Sequence, residues 1–245
     1  MLINDDSKKY VIEYYFESKL IPKIIHITYK SYDTIPVKVW NILKLFAYDY
    51  KIIFYSDEDC IRILNDQFSS NYVNVFNSLK TCAHKADFFR YCILYKLGGI
   101  YLDVKIEPLI DLNTIFDHRK KNTLYTVISG VSNHKSKYIF QGIIASYPNN
   151  PLFLELINDF FKYTNHHRDY MFFTRKFYDL LQKKIKKNLI VGNNNYENEN
   201  VVLFIERNVK TDIDTKTDRH KGFWNIFDNN NKHIFKTRYN DYPWK

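Results

Sequence analysis

The chain has 245 residues, 45% of them hydrophobic and 18% aromatic, with 36 Lys and Arg against 27 Asp and Glu. That length suits one α/β domain with a sizeable core, and that apolar content excludes a disordered chain. The net charge of +9 favours anionic partners: a nucleotide diphosphate, an anionic glycan, a membrane face or nucleic acid. A general abundance of Lys and Asn accounts for the same charge.

Residues 1–20 read as a short helix with apolar Tyr10, Ile12, Tyr14, Phe16 and Leu20. The polar start, Met1 to Asp6, does not read as a secretory leader, and no apolar run reaches the length of a membrane span. Lys23 to Tyr29 is a β-branched run and predicts the first buried strand. Pro36 opens a helix through Val39, Trp40, Leu43 and Ala47. Tyr50 to Tyr55 predicts a second strand, and Ser56 with Asp57-Glu58-Asp59 caps a helix carrying Ile61, Ile63 and Leu64. This alternation is the pattern of parallel sheets covered by helices. Cys60, Cys82 and Cys92 are odd in number and lack zinc-like spacing, so free thiols in a reducing compartment are expected.

The densest stretch runs from His84 to Leu109. Ala86, Phe89, Ile93, Leu94 and Leu97 recur at helical spacing, which predicts an amphipathic helix with one buried face. Asp87 and Arg90, three apart, are neighbours on it, as in an ordinary salt bridge on a helix face. Gly98 and Gly99 end the helix, and Ile100 to Val104 reads as a short core strand. Asp103, Lys105 and Glu107 then share one face by the two-residue period, before Pro108. Charge at the carboxyl end of a core strand marks where open α/β sheets bind ligands.

Thr123 to Ser129 and Tyr138 to Ser146 predict two more strands. Pro151 starts a helix through Phe153, Leu156, Ile157 and Phe160, and another helix spans Arg175 to Ile185, its trailing lysines a solvated end. Gly192 to Asn200 reads as a polar loop and Val201 to Ile205 as a strand. Gly222 to Phe227 and His233 to Tyr239 flank Asp228-Asn229-Asn230-Asn231, a hairpin signal. No repeat or linker splits residues 1–245, which read as one domain.

Lys-Ala-Asp-Phe-Phe-Arg-Tyr at 85–91, with Leu-Gly-Gly-Ile-Tyr-Leu-Asp at 97–103, resembles the signature of glycosyltransferase family 32. That family includes fungal α-1,6-mannosyltransferases and bacterial capsule enzymes. Ile21 to Ser31 resembles its opening strand and Gln141 to Phe153 a further block, so the likeness covers most of residues 21–160. The resemblance implies a GT-A-like nucleotide-sugar-binding fold with a mainly parallel central sheet. Residues 21–110 would bind the donor and 111–245 would form the acceptor side. It further implies transfer of a hexose or N-acetylhexosamine from a nucleotide diphosphate sugar, with retention, to a glycan, glycoprotein or glycolipid. A non-catalytic domain that binds glycan or nucleotide is the alternative, and nucleic acid is not an expected partner.

By the same resemblance, Ile27, Thr28 and Tyr29 grip the base, with Asp57 beside the nucleoside, while Asp87 and Arg90 hold the sugar. Gly98, Gly99 and Asp103 belong to the donor site, and His220, Trp224 and Arg238 to a loop closing over the diphosphate. His26 matches a family histidine but reads equally as a satisfied core residue. The family's aspartate-x-aspartate holds a divalent cation, manganese or magnesium, on the diphosphate. Here it reads Asp103-Val104-Lys105. Two repairs present themselves: Lys105 supplies the positive charge itself, or Glu107 joins Asp103 as an oxygen ligand.

Overall fold

The apolar runs of the sequence become strands of a single ten-stranded sheet. The structure, a computed structural model, describes residues 18–129, 137–162, 169–209 and 223–237. The expected N-terminal helix therefore lies largely outside the described residues, and His220 and Arg238 lie outside them entirely.

In chain order the elements begin with β1 (Ile24–Thr28), α1 (Val37–Phe46), β2 (Lys51–Tyr55), α2 (Asp57–Gln67), α3 (Ser70–Ser78) and α4 (Cys82–Leu97). There follow β3 (Gly99–Leu102), β4 (Ile106–Pro108), α5 (Leu112–Ile115), β5 (Thr123–Ser129), β6 (Tyr138–Ser146), α6 (Pro151–Lys162) and α7 (Phe172–Ile185). The last four are β7 (Gly192–Tyr196), β8 (Glu199–Val209), β9 (Phe223–Phe227) and β10 (His233–Thr237). The strands lie in the order β2-β1-β3-β6-β5-β8-β9-β10-β4, with β7 paired to β8. One core joins α2, α3, α4, α6 and α7 to one face of the sheet, and a second joins α1 and α5 to the other.

The expected α/β architecture is present, but the sheet is mixed rather than mainly parallel. Only β1–β2, β1–β3 and β5–β8 pair in parallel, and the remaining pairs are antiparallel. Parallel neighbours need a crossover, which helices supply around β1, β2 and β3 in the first half and α6 with α7 supply between β5 and β8, while the other strands meet as antiparallel neighbours. The C-terminal hairpin forms as β9 and β10. The expected loop at Gly192 to Asn200 is instead β7, the turn and the start of β8, where Tyr196 pairs with Glu199 and Glu197 takes a φ of 49°. Asparagines, which disfavour strands in isolation, conceal it.

Two further departures bear on the site. Helix α4 is buried nearly all round, from Asp87 to Leu94, rather than on one face. The third strand stops at Leu102, and residues 103–105 turn, with the Ile106 N–H donating to the Asp103 carbonyl at 2.9 Å. The two-residue period therefore does not run through to Glu107, which sits on β4 opposite Lys236.

Gly98 and Gly99 have positive φ values of 62° and 95°. A Cβ on Gly98 would lie 2.6 Å from the Pro148 nitrogen, and one on Gly99 would lie 2.7 Å from the Ile24 carbonyl oxygen. Both positions thus require glycine, to bring helix, strand and neighbouring backbone together.

The Gly98 carbonyl also fixes His26, which is fully buried in β1. It lies 2.8 Å from His26 Nε2, and the Tyr55 hydroxyl lies 2.9 Å from Nδ1. A carbonyl only accepts, so Nε2 donates and Nδ1 accepts from Tyr55. This is the satisfied core histidine. Burial lowers its pKa from 6.5 to about 4, against the pull of the Gly98 bond. The unfolded chain therefore takes up the proton first, so the stability due to neutral His26 is full above 6.5 and is lost as the pH falls towards 4. Urea unfolding should weaken by about 3 kcal/mol over that window from this residue. His26→Asn should flatten that part of the profile, and wild-type and variant profiles of equal slope would contradict the assignment.

Candidate functional site

Helix α4 aims its charged pair at the end of β3. Thr81 caps the helix, its hydroxyl accepting from the His84 N–H at 3.1 Å, and the chain then places Asp87 and Arg90 on the side facing the sheet. Both are buried, so this is not a surface ion pair; the Asp87 carboxylate lies 3.2 Å from Arg90. The Arg90 fork is used in every direction. Nε donates to the Ala86 carbonyl at 3.1 Å and Nη1 to the Gln141 carbonyl. Nη2 lies 3.4 Å from both the Tyr101 hydroxyl and Asp103 Oδ1. The guanidinium also stacks on the Tyr101 ring, 4.3 Å from its centroid. The Tyr101 hydroxyl accepts from Arg90 and also shares a hydrogen bond with Thr28 Oγ1 at 2.7 Å. Lys105 completes the chain, its ammonium 3.6 Å from Asp103 Oδ2.

The charges are set by this arrangement. Burial works against the Arg90 charge, but Tyr101, Asp87 and Asp103 outweigh it and hold the guanidinium charged. Burial also opposes ionisation of Asp103, yet Arg90 and Lys105 hold its carboxyl below the usual range. Asp87 goes the other way: burial raises its carboxyl, and Arg90 offsets only part of that.

Of the residues expected in the site, Thr28, Asp87, Arg90, Asp103 and Lys105 are brought together. Others are not. Ile27 points into the core, so only its backbone is available; Tyr29 follows Thr28 directly, with its N–H donating to the Tyr55 carbonyl at 3.2 Å. Asp57 begins α2 and pairs with Lys85 at 3.5 Å. Gly98 and Gly99 lie at the other end of β3, with Gly99 about 10 Å of strand rise before Leu102 and so further still from Asp103. Trp224 sits in the C-terminal hairpin, where its carbonyl accepts from Thr237 at 2.7 Å.

Three residues that sequence reasoning passed over belong to the site. Tyr101 links Arg90 to Thr28. Gln141 supplies a carbonyl to Arg90 and takes the Tyr91 hydroxyl on its side-chain oxygen at 2.9 Å. Gly142 receives the Asp103 N–H on its carbonyl at 2.9 Å, and a Cβ there would sit 3.1 Å from Asp103 Oδ2. The sequence signal for the last two is weak, because it depends on β6 pairing with β3.

The donor set does not fit a divalent cation as it stands. Each oxygen of Asp103 faces a cationic side chain, and among the described residues no three His, Cys, Asp or Glu are grouped to hold a metal. Hard cations require several converging oxygens.

Residues 37–122 match the family model described as a glycosyltransferase sugar-binding region containing a DXD motif. An uncharacterised glycosyltransferase of Acanthamoeba polyphaga mimivirus is 31% identical over 147 residues, covering 58% of this chain and 56% of that protein. A mannosyl phosphorylinositol ceramide synthase of Saccharomyces cerevisiae is 32% identical over 165 residues, covering 63% of this chain and 37% of that protein. The solved PaToxG glycosyltransferase superposes with a TM-score of 0.49 at 18% identity, covering 74% of this chain and 76% of that one. Residues 37–122 are thus similar to the sugar-binding region of that glycosyltransferase family, and the two relatives carry a likeness beyond that stretch. It spans just over half of the viral relative and about a third of the yeast one.

Asp87 separates ligand work from structural work. A carboxyl raised above its unfolded value favours folding below the unfolded pKa, and that advantage is lost as the pH rises through the folded one. Ionised Asp87 thus burdens the fold at neutral pH. Asp87→Asn should keep or raise the melting temperature at neutral pH while any ligand binding or turnover that uses this carboxylate falls roughly ten- to a hundredfold, the loss of one charged hydrogen bond. A melting temperature that drops in step with activity would make the pair structural. Arg90→Ala is a poorer probe, since it leaves Asp87 and Asp103 without their shared buried cation.

Proposed function

We propose that this chain transfers a hexose or N-acetylhexosamine from a nucleotide diphosphate sugar to a hydroxyl of a glycan or glycoconjugate, with retention. The observation that carries the reading is the linked set Asp87, Arg90, Asp103 and Lys105, at the carboxyl ends of the parallel strands β1 and β3. The yeast relative, named as a mannosyl phosphorylinositol ceramide synthase, supports including mannose among the candidate sugars.

In this reading the backbone of Ile27 to Tyr29 borders the nucleoside. Asp87 accepts from sugar hydroxyls, and Lys105 faces the diphosphate as a permanent cation in place of a metal. The acceptor oxygen attacks the anomeric carbon from the side of the departing group. As that bond forms, the bond from carbon to the phosphate oxygen breaks, and the acceptor's proton passes to that oxygen. Lys105 and Arg90 stabilise the charge that gathers there. Asp103 holds Lys105 in place through the turn of residues 103–105.

A non-catalytic, nucleotide- or glycan-binding domain is the second reading, favoured by the lysine in the motif. Thermal-shift titration with uridine and guanosine diphosphates comes first: no stabilisation at millimolar concentration would sink the donor site. Donor hydrolysis with and without a chelator then decides the chemistry. Activity should survive chelation in large part, and Lys105→Ala should lower turnover roughly a hundredfold. Complete loss with chelator, an indifferent Lys105→Ala and a Glu107→Ala that mimics chelation would instead establish metal at Asp103 and Glu107. Nucleotide binding without any turnover would leave the binding-domain reading.

A further inference from the structure

Exposed apolar side chains gather on one part of this molecule. Among the described residues seven large hydrophobics are exposed, and four of them, Tyr32, Val37, Leu45 and Tyr48, lie between residues 32 and 48. Val37, Leu45 and Tyr48 are 71%, 67% and 70% accessible, so they make no shared core of their own. Single exposed apolar residues are ordinary, but a cluster on one helix and its flanks marks a binding face.

Helix α1 explains the geometry. Val39 and Leu43 turn inward to the core. At 100° per residue, Val37, Asn41, Lys44 and Leu45 fall on the outer side, with Lys38 at its margin. All five are exposed. The helix sequence, Val-Lys-Val-Trp-Asn-Ile-Leu-Lys-Leu-Phe, contains no acidic residue. Asp49, the first acid after it, is held by Lys23 at 2.5 Å and by Asn113 at 3.0 Å. The outer face is therefore apolar and cationic together. A second copy of the chain is a poor occupant, because a two-fold contact sets Lys38 and Lys44 against their own counterparts with no acid on the helix to meet them. An anionic bilayer supplies both complements: acyl and glycerol layers for Val37, Leu45 and Tyr48, and headgroup charge for lysines whose stems lie along that apolar surface.

We infer that the outer face of α1 seats on an anionic lipid surface. The helix adjoins the site: Lys38 and Ile42 line one hollow with Lys105 and Glu107. A bilayer on this face holds the turn that carries Asp103 and Lys105 beside the headgroups, where a lipid-borne acceptor hydroxyl is presented. Among the described residues no helix is long and apolar enough to cross a membrane. The docking face itself stands apart from the transferase reading; only its orientation of the site draws on it.

Flotation with phosphatidylcholine vesicles, with and without phosphatidylserine, tests the inference. The chain should float with the anionic vesicles, less so in high salt, and Val37→Glu with Leu45→Glu should weaken binding at least about tenfold, while Lys44→Glu should weaken it measurably. Melting temperature and nucleotide diphosphate binding, measured on the same variants, should stay at wild-type values. Absence of flotation, flotation that all the variants retain, or a dimer in sedimentation that Leu45→Glu abolishes would each overturn it. Loss of nucleotide binding in wild type together with intact flotation would remove the transferase reading and leave this one standing.

Discussion

A buried guanidinium is the constraint on which the rest of the site depends. Arg90 sits among two carboxylates, a tyrosine ring and two backbone carbonyls, all of which depend on its one charge. Removing that guanidinium costs roughly 3–5 kcal/mol, because it strands the buried carboxylates that share it. The fold meets this demand by bringing four elements to one point: α4 for the cation, β3 for Tyr101 and the turn after it, β6 for the Gln141 carbonyl, and β1 for Thr28. The same demand explains the close approach of Gly142 to Asp103, where any side chain would crowd the carboxylate.

The charge arrangement that results is local and fixed. Asp103 is held ionised by Arg90 and Lys105 against burial, so the neighbourhood of the turn keeps one anion between two cations. A second aspartate at position 105 would replace one of those cations with another anion and would call for a metal to balance it. Lysine there changes the electrostatic problem that the site solves, and leaves the backbone turn to hold the geometry. The surface of α1, basic and apolar, extends the same cationic character outward from the site.

Much of this was legible in the sequence, and the part that was not has a common cause. The β-branched run at 23–29, the capped helix after Ser56 and the asparagine-rich hairpin at 228–231 are local signals, and each produced the expected element. Asp87, Arg90, Asp103 and Lys105 stood out because helix and turn are continuous in the chain. What depended on partners distant in sequence did not stand out. Tyr101 looked like a strand residue until α4 lay across it. Gln141 and Gly142 gained meaning only from the antiparallel pairing of β6 with β3. The strand after Gly99 seemed to run on to Glu107, because Val104, Lys105 and Ile106 alternate as a strand does, while the hydrogen bond that closes the turn leaves no trace in the pattern. The mixed sheet was hidden for the same reason, since strand direction follows from which edges meet.

A double-mutant cycle on Arg90→Lys and Asp103→Asn, read as the affinity for a nucleoside diphosphate by calorimetry in chelator, tests the central claim most directly. Lysine keeps the charge of Arg90 and loses the planar fork that joins Asp103 to Asp87 and Tyr101. The account predicts that each change alone weakens binding and that the two together weaken it by much less than their sum, with a coupling of about 1 kcal/mol or more. Strict additivity would contradict it, since the guanidinium and the aspartate would then act on the ligand independently.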